Sequence, residues 1–458
     1  MTGGRRLFWP LLVVHAILVQ AISYGIRPSL SYAVLDLGYG PAWLAVVGAM
    51  FAIPPLVLAI AAGRLVDRVG ERPGMVIGGV ALTGSAVVAY VGSAQIGLLV
   101  TATALLGIGI IFSMVGEQSA VAGRARGRGL DSVFGVYTFV TSLGQGVGPL
   151  LLLLPPAPGS QSPPLEPIAA ACGLAGLVTL AVSFGFGTVH RAAPSGSPSG
   201  SRPEASGSPP EPSGSPPAPS APSAPSESPG TPGTPGTPGS PGSPGTPGSS
   251  GSSGSPGSSG SSSGPAGRRW PARRLLAIPG MGRALLVGGL ILASIDVTLA
   301  YLPALAHARG IAPGWVTAML AVRSVTQMVS RINLAQLVRR LGRRRLTVAA
   351  CAVSALALCG LTLPVPVAVL VALTGVYGFA AGVCQPITMG WVTQLAPSGT
   401  RGTVLSLRIA GNRLAQTVIP AVSGAAAVVG GVTGVLVLTG ATLGAAAWSA
   451  SAVPDPED

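Results

Sequence analysis

"GRLVDRVGER" occupies residues 63–72, and 272 positions later "AQLVRRLGRR" occupies residues 335–344, keeping a Leu-Val pair, two arginines and a glycine in register. At the same offset "GYGPAW" (38–43) returns as "GIAPGW" (310–315). A third pair, "SLGQGVGP" (142–149) and "RLAQTVIP" (413–420), stands 271 positions apart. One matched corner would mean little. Three, in one order and at nearly one offset, describe a chain that carries the same unit twice.

What the unit is made of follows from composition. Of 458 residues, 48% are apolar and only 9% charged, against about 25% charged in soluble domains, and the mean hydropathy is +0.61. Crossing a bilayer takes about 20 apolar residues. The chain supplies such runs twelve times, at about 8–35, 42–62, 74–94, 96–117, 131–154 and 167–188, then at 284–306, 314–337, 346–364, 366–388, 403–426 and 428–450. The first run is too long for a signal peptide and no small-residue cleavage site follows it, so it is read as a span.

Between the two sets of six, residues 191–267 hold almost nothing but Ser, Pro, Gly, Ala and a few acids, a composition that cannot bury a core. Gly falls at every third position from Gly230 to Gly260, superficially like collagen, but the run is short and a triple helix needs three chains. A flexible tether with a reach on the order of 50 Å is expected. The expected architecture is an all-α membrane protein of twelve transmembrane helices in two duplicated six-helix bundles. Residues 1–190 form the N-terminal bundle, 191–273 a disordered cytoplasmic linker and 274–458 the C-terminal bundle.

Every basic residue that carries a fixed charge is Arg; the chain has no Lys. Arg5 and Arg6 precede the first span, Arg64, Arg68 and Arg72 follow the second, and Arg124, Arg126 and Arg128 follow the fourth. The second half repeats the bias with Arg268, Arg269, Arg273, Arg274 and Arg283, then Arg339, Arg340 and Arg343 to Arg345, then Arg401. The opposite loops offer only His307 and Arg309. Basic residues gather on the cytoplasmic side, which places both termini and the linker there. The same distribution explains the net charge of +14 without nucleic acid, since no aromatics interleave the basic loops for base stacking.

Catalytic chemistry finds no support. Without Lys there is no phosphate-cradling Walker A loop, His15, His190 and His307 form no metal-ligand pattern, and no cofactor or metal is expected. Cys172, Cys351, Cys359 and Cys384 all lie in spans and read as small buried hydrophobes. Duplicated membrane halves are the build of secondary transporters, with a binding site near the midplane between them. The partners are then a small-molecule substrate and the lipid bilayer, with no nucleic acid, and the closed duplicated unit suits a functional monomer.

With these residues in view, "GRLVDRVGER" resembles the loop signature of the major facilitator superfamily, Gly-x-x-x-Asp-Arg-x-Gly-x-Arg, at Gly63, Asp67, Arg68, Gly70 and Arg72, between spans two and three as in that family. The resemblance implies that Asp67 holds a cytoplasmic gate together; the second copy has Arg339 in its place, so that role does not transfer. In span five, Gly144, Gly148 and Pro149 resemble the Gly-x-x-x-Gly-Pro pattern of proton-driven exporters, without its trailing glycines. Simple close packing of helices explains the same glycines, while Pro149 permits a bend.

Ionisable groups inside spans are costly and mark function. Asp296, in "ASIDVTLAY", and Glu117, in "MVGEQSA", are the proton-coupling candidates, because burial disfavours the charged form of a lone carboxylate. Aligning "GIRPSLSY" (25–32) with "SIDVTLAY" (294–301) sets Arg27 opposite Asp296 in equivalent spans. A static ion pair and a proton or substrate role both fit that placement, and for Glu117 pairing near the arginine-rich loop fits as well. Gln118 aligns with Gln385, and both are candidates to line the cavity with Arg27, Arg323, Asn412 and Arg413. Arg413 lies about 16 Å along its helix from Gly402, where it suits either an anionic substrate group or a partner for Asp296. Arg408 suits snorkelling to the cytoplasm.

These observations lead to the expectation of a secondary active transporter, proton-coupled and exporting small organic molecules, with the proton gradient as energy source. Uptake of an anionic metabolite, favoured by the intramembrane arginines, and a non-transporting membrane sensor or scaffold are the alternatives. The bias to Arg, Ala, Gly and Pro suggests a GC-rich bacterial gene and a plasma-membrane address.

Overall fold

Apolar helices separated by short polar corners account for the architecture. The computed structural model describes residues 3–124, 130–156, 162–186, 272–397 and 401–452, and among these every regular element is helical. In chain order they are α1 (Gly3–Asp36), α2 (Ala42–Val69), α3 (Glu71–Val91), α4 (Ile96–Arg124), α5 (Leu130–Val147), α6 (Leu165–Phe184), α7 (Ala272–Leu276), α8 (Met281–Ala308), α9 (Pro313–Ile332), α10 (Leu334–Leu341), α11 (Arg343–Gly360), α12 (Val367–Gln394) and α13 (Arg401–Ser451). The linker expected at 191–273 lies outside the described residues except for its last two, which open α7.

The protein is an all-α membrane protein with twelve spans. Nine helices among the described residues are long and apolar enough to cross a bilayer on those criteria alone. Three further spans complete the twelve, for separate reasons. The 51-residue α13 contains two spans, divided at Gly431, whose φ of 57° breaks the helix. The helix α9 carries a polar stripe, Arg323, Gln327 and Arg331, at helical spacing, and α11 opens on three arginines. Around the bundle, Val57, Ile60, Leu356, Val429 and Trp448 are each more than two-thirds exposed, an outward apolar surface that suits lipid.

The repeat is written in the backbone as well as the sequence. Gly38 and Gly310, which open the two matched corners, have φ of 82° and 63°, and Gly70 and Gly342, in the two matched loops, have 94° and 72°. Each is a place where the chain turns through a positive-φ conformation that costs other residues about 1–3 kcal/mol. Packing repeats too: α1 on α5, α2 on α4, α3 on α4 and α3 on α6 in the first half are answered by α8 on α13, α9 on α12, α11 on α12 and α11 on α13 in the second. The halves meet through α1 on α8, α2 on α13 and α5 on α9, a two-fold pattern in which α2–α13 and α5–α9 are equivalents.

Some boundaries differ from the sequence expectation. The span expected at 131–154 is helical only to Val147 and then tightens into a 3₁₀ segment, Gly148–Leu153, with Pro149 at its start. The span expected at 314–337 ends at Ile332, and the division expected near residue 427 falls at Gly431.

Candidate functional site

On α1, Gln20, Tyr24 and Arg27 recur at the i, i+4, i+7 spacing of one helix face, and that face turns to the seam between the halves. Pro28 removes one backbone donor, while Ser29 and Ser31 donate to the carbonyls of Gly25 and Arg27 at 2.8 and 3.2 Å. Arg27 donates from Nη1 to Asp296 Oδ1 of α8 at 2.6 Å, and its guanidinium lies 4.0 Å from the centre of the Phe51 ring of α2. The second carboxylate oxygen of Asp296 accepts from Gln416 Nε2 of α13 at 2.5 Å, and Arg413 Nη1 donates to Gln416 Oε1 at 3.1 Å. Arg27, Asp296 and Gln416 are all buried. In such low-dielectric surroundings, removing either Arg27 or Asp296 would leave the other as an unpaired buried charge.

Further along the seam, Arg331 of α9 donates from Nη1 to the Thr138 carbonyl at 3.1 Å and Ser142 Oγ of α5 at 2.5 Å, and from Nη2 to Gln385 Oε1 of α12 at 3.0 Å. Arg408 donates to the Gln385 carbonyl at 3.3 Å. At the end of the bundle that carries the matched corners, Tyr301 donates to the Pro41 carbonyl at 3.1 Å, and Thr317 donates to the Pro149 carbonyl at 3.2 Å. Contacts between the halves therefore run from the arginine-poor end to well past the middle.

Glu117 belongs to a different centre. Its Oε1 lies 2.6 Å from His15 Nδ1, its Oε2 accepts from Tyr137 at 2.7 Å, and His15 Nε2 lies 3.1 Å from Ser183 Oγ. Gln118 also hydrogen-bonds Tyr137. All of these residues come from α1, α4, α5 and α6, so the cluster is internal to the first half.

In the loop between α2 and α3, Gly70 holds the tight corner and Arg72 lies over the Phe184 ring, 5.4 Å from its centre. Gly63 has open space around it. In α5, by contrast, a Cβ on Gly144 would fall 2.4 Å from the Ile17 carbonyl oxygen, and one on Gly148, which opens the 3₁₀ segment, would fall 2.5 Å from that of Ala21. These glycines let α5 lie directly on α1, which is helix packing. Asn412 Oδ1 has no partner among the described residues.

The structure thus brings together Arg27, Asp296 and, through Gln416, Arg413. It joins Gln385 to Arg331 and sets Glu117 and Gln118 apart. Sequence reasoning passed over Gln416, His15, Tyr137 and Arg331. Gln416 had a signal, since it and Gln145 occupy the same place in the third matched pair; His15, whose partner is 102 residues away, had none.

A family model described as Major Facilitator Superfamily matches residues 12–233 and 284–458. No curated protein matches the sequence. Among solved structures, the chain is similar to the nucleoside transporter NupG at 10% identity and a TM-score of 0.65, covering 96% of this chain and 97% of that one. It is similar to a D-xylose-proton symporter at 12% identity and 0.66, covering 97% of each chain. It is also similar to the inward-open xylose transporter XylE from E. coli at 13% identity and 0.64, covering 98% of this chain and 96% of that one. At these identities the likeness carries the fold.

Proposed function

The chain belongs to the major facilitator superfamily, whose members are transporters rather than enzymes, and from that premise we propose that it couples proton movement to export of a small organic molecule by alternating access. The observation that carries the proposal is the Arg27–Asp296 pair, which joins α1 of one half to α8 of the other at 2.6 Å. Protonating Asp296 removes the negative charge that holds Arg27, weakens that joint and favours the arrangement in which the halves have rocked apart. Substrate binding biases the same equilibrium in the opposite sense, and a ligand shifts it only by its differential affinity for the two states. The partners of Glu117 named above all lie in one half, which supports coupling at Asp296 in preference to Glu117. Export rather than uptake rests on the resemblance of Gly144, Gly148 and Pro149 to the exporter pattern. The arginine distribution supports cytoplasmic termini, the bias to Arg, Ala, Gly and Pro supports a bacterial plasma-membrane address, and a functional monomer fits the closed two-fold build.

The test compares an efflux-deficient bacterium expressing the chain or its Asp296→Asn form, across a panel of toxic compounds with intracellular accumulation recorded. The expected result is lowered accumulation of at least one compound, abolished by a protonophore and by Asp296→Asn. Export that survives both would remove Asp296 from the coupling.

A second reading, uptake of an anionic metabolite, is favoured by one observation: buried arginines on the seam outnumber the carboxylates there. Higher accumulation in expressing cells than in controls would select it.

A further inference from the structure

We infer that Arg323 is the docking point for an oxyanion group, carboxylate or phosphate, on the transported molecule. The inference rests on the transporter reading and names its substrate class, in either direction of movement.

Arg323 lies ten residues beyond Pro313 on α9, about 15 Å along the helix and so near the middle of a hydrocarbon layer about 30 Å thick. It is 1% exposed. Only Nη1 is engaged, and weakly, with the Ile295 carbonyl at 3.4 Å and Thr298 Oγ1 at 3.3 Å. Nε and Nη2 have no hydrogen-bond partner among the described residues. Those two atoms form one edge of the guanidinium, with parallel N–H bonds at the spacing of two carboxylate or phosphate oxygens.

Among the described residues, neither Asp296 nor Glu117 answers this edge. Asp296 has one oxygen on Arg27 and the other on Gln416, and Glu117 is held by His15 and Tyr137. A buried cation without a counter-ion is costly, and a cation kept at that cost on the seam points to a ligand that completes it.

The surroundings suit an organic anion. Arg323 Cζ lies 5.5 Å from the centre of the Tyr24 ring. The Tyr377 hydroxyl lies 2.7 Å from Ser294 Oγ, on the α8 face that also presents Thr298. Tyr24 belongs to the first half, whereas Arg323, Thr298 and Tyr377 belong to the second. A molecule seated on the free edge therefore touches both halves, as differential binding to two rocking states demands. Position is fixed by Gly378 of α12, where a Cβ would fall 2.4 Å from the Arg323 carbonyl oxygen. That glycine lets α12 press α9 into place.

The full-length chain in detergent would be melted at constant ionic strength in sodium chloride alone, or with sodium benzoate, sodium phosphate or neutral benzamide. Expected is a rise of a few degrees in the melting midpoint with benzoate or phosphate and none with benzamide. The rise should vanish in Arg323→Gln and persist in Arg283→Gln, a rim arginine. A rise with benzoate alone assigns a carboxylate, and one with phosphate alone assigns a phosphate. Should Arg323→Gln fail to fold, Arg323→Lys keeps the charge without the fork, and a reduced rise supports the site. No anion-specific rise in the unaltered chain, or a rise that Arg323→Gln or Arg323→Lys retains in full, overturns the inference. The melt involves no transport, so failure to bind an anion is told apart from failure to move a solute.

Discussion

Asp296 and Glu117 are both carboxylates inside the bundle, and their neighbours set them apart. Asp296 faces a helix that belongs to the other half, so a change in its charge is a change in the joint between halves. Glu117 is enclosed by His15, Tyr137 and Ser183 of its own half, and its expected contribution is to hold four helices together. Leaving a buried donor without its acceptor costs about 1–3 kcal/mol, and Glu117 serves two such partners. Glu117→Ala should therefore lower the melting midpoint of the full-length chain sharply, with Glu117→Gln intermediate because it keeps an acceptor for Tyr137. An unchanged midpoint in Glu117→Ala would show that the cluster carries no such load. Asp296 and Arg27 were legible as a pair because a charged residue in an apolar run is conspicuous and the internal repeat aligned them. His15 was not, because one histidine in an apolar helix carries no hint of a carboxylate on another.

Among the helices, α1 and α5 make a close crossing, and it depends on what is missing from their surfaces. A side chain at Gly148 would run into the backbone of α1 at Ala21 and Gly25, so Gly148→Val is expected to force the helices apart and reduce the yield of folded protein. Gly63, although part of the loop signature, has open space around it, and Gly63→Ala should leave stability unchanged or raise it by up to about 1 kcal/mol from helix propensity. Monodispersity and melting midpoint of the two variants check both statements; equal behaviour would mean the crossing is not close. Gly70 and Gly342 could be read from the sequence because the matched loops set them in register. The early end of α9 could not, since Leu334, Leu337 and Val338 continue the apolar pattern while the backbone has already turned at Asn333.

At the scale of the whole molecule, the seam must open for a solute to pass, and α5 against α9 is one of its two equivalent long contacts. A Cβ on Gly146 would lie 3.6 Å from Ser324 Cβ across that contact, within the range for a disulfide. Gly146→Cys with Ser324→Cys is expected to cross-link on mild oxidation and stop transport, with recovery on reduction. Full turnover of the oxidised, cross-linked protein would show that α5 and α9 do not separate. The twelve-span plan and its division into two were legible because length, apolarity and offset are properties of sequence alone. The pairing of α2 with α13 and α5 with α9 was not, because it depends on how two copies are turned towards each other. That turn has a consequence at Arg27 and Asp296. A residue lying where a two-fold pattern folds onto itself meets its own counterpart, so two identical copies would oppose arginine to arginine or acid to acid. The ion pair exists because the copies differ at that place, and the opposite charges give this near-symmetric molecule a polarity of its own.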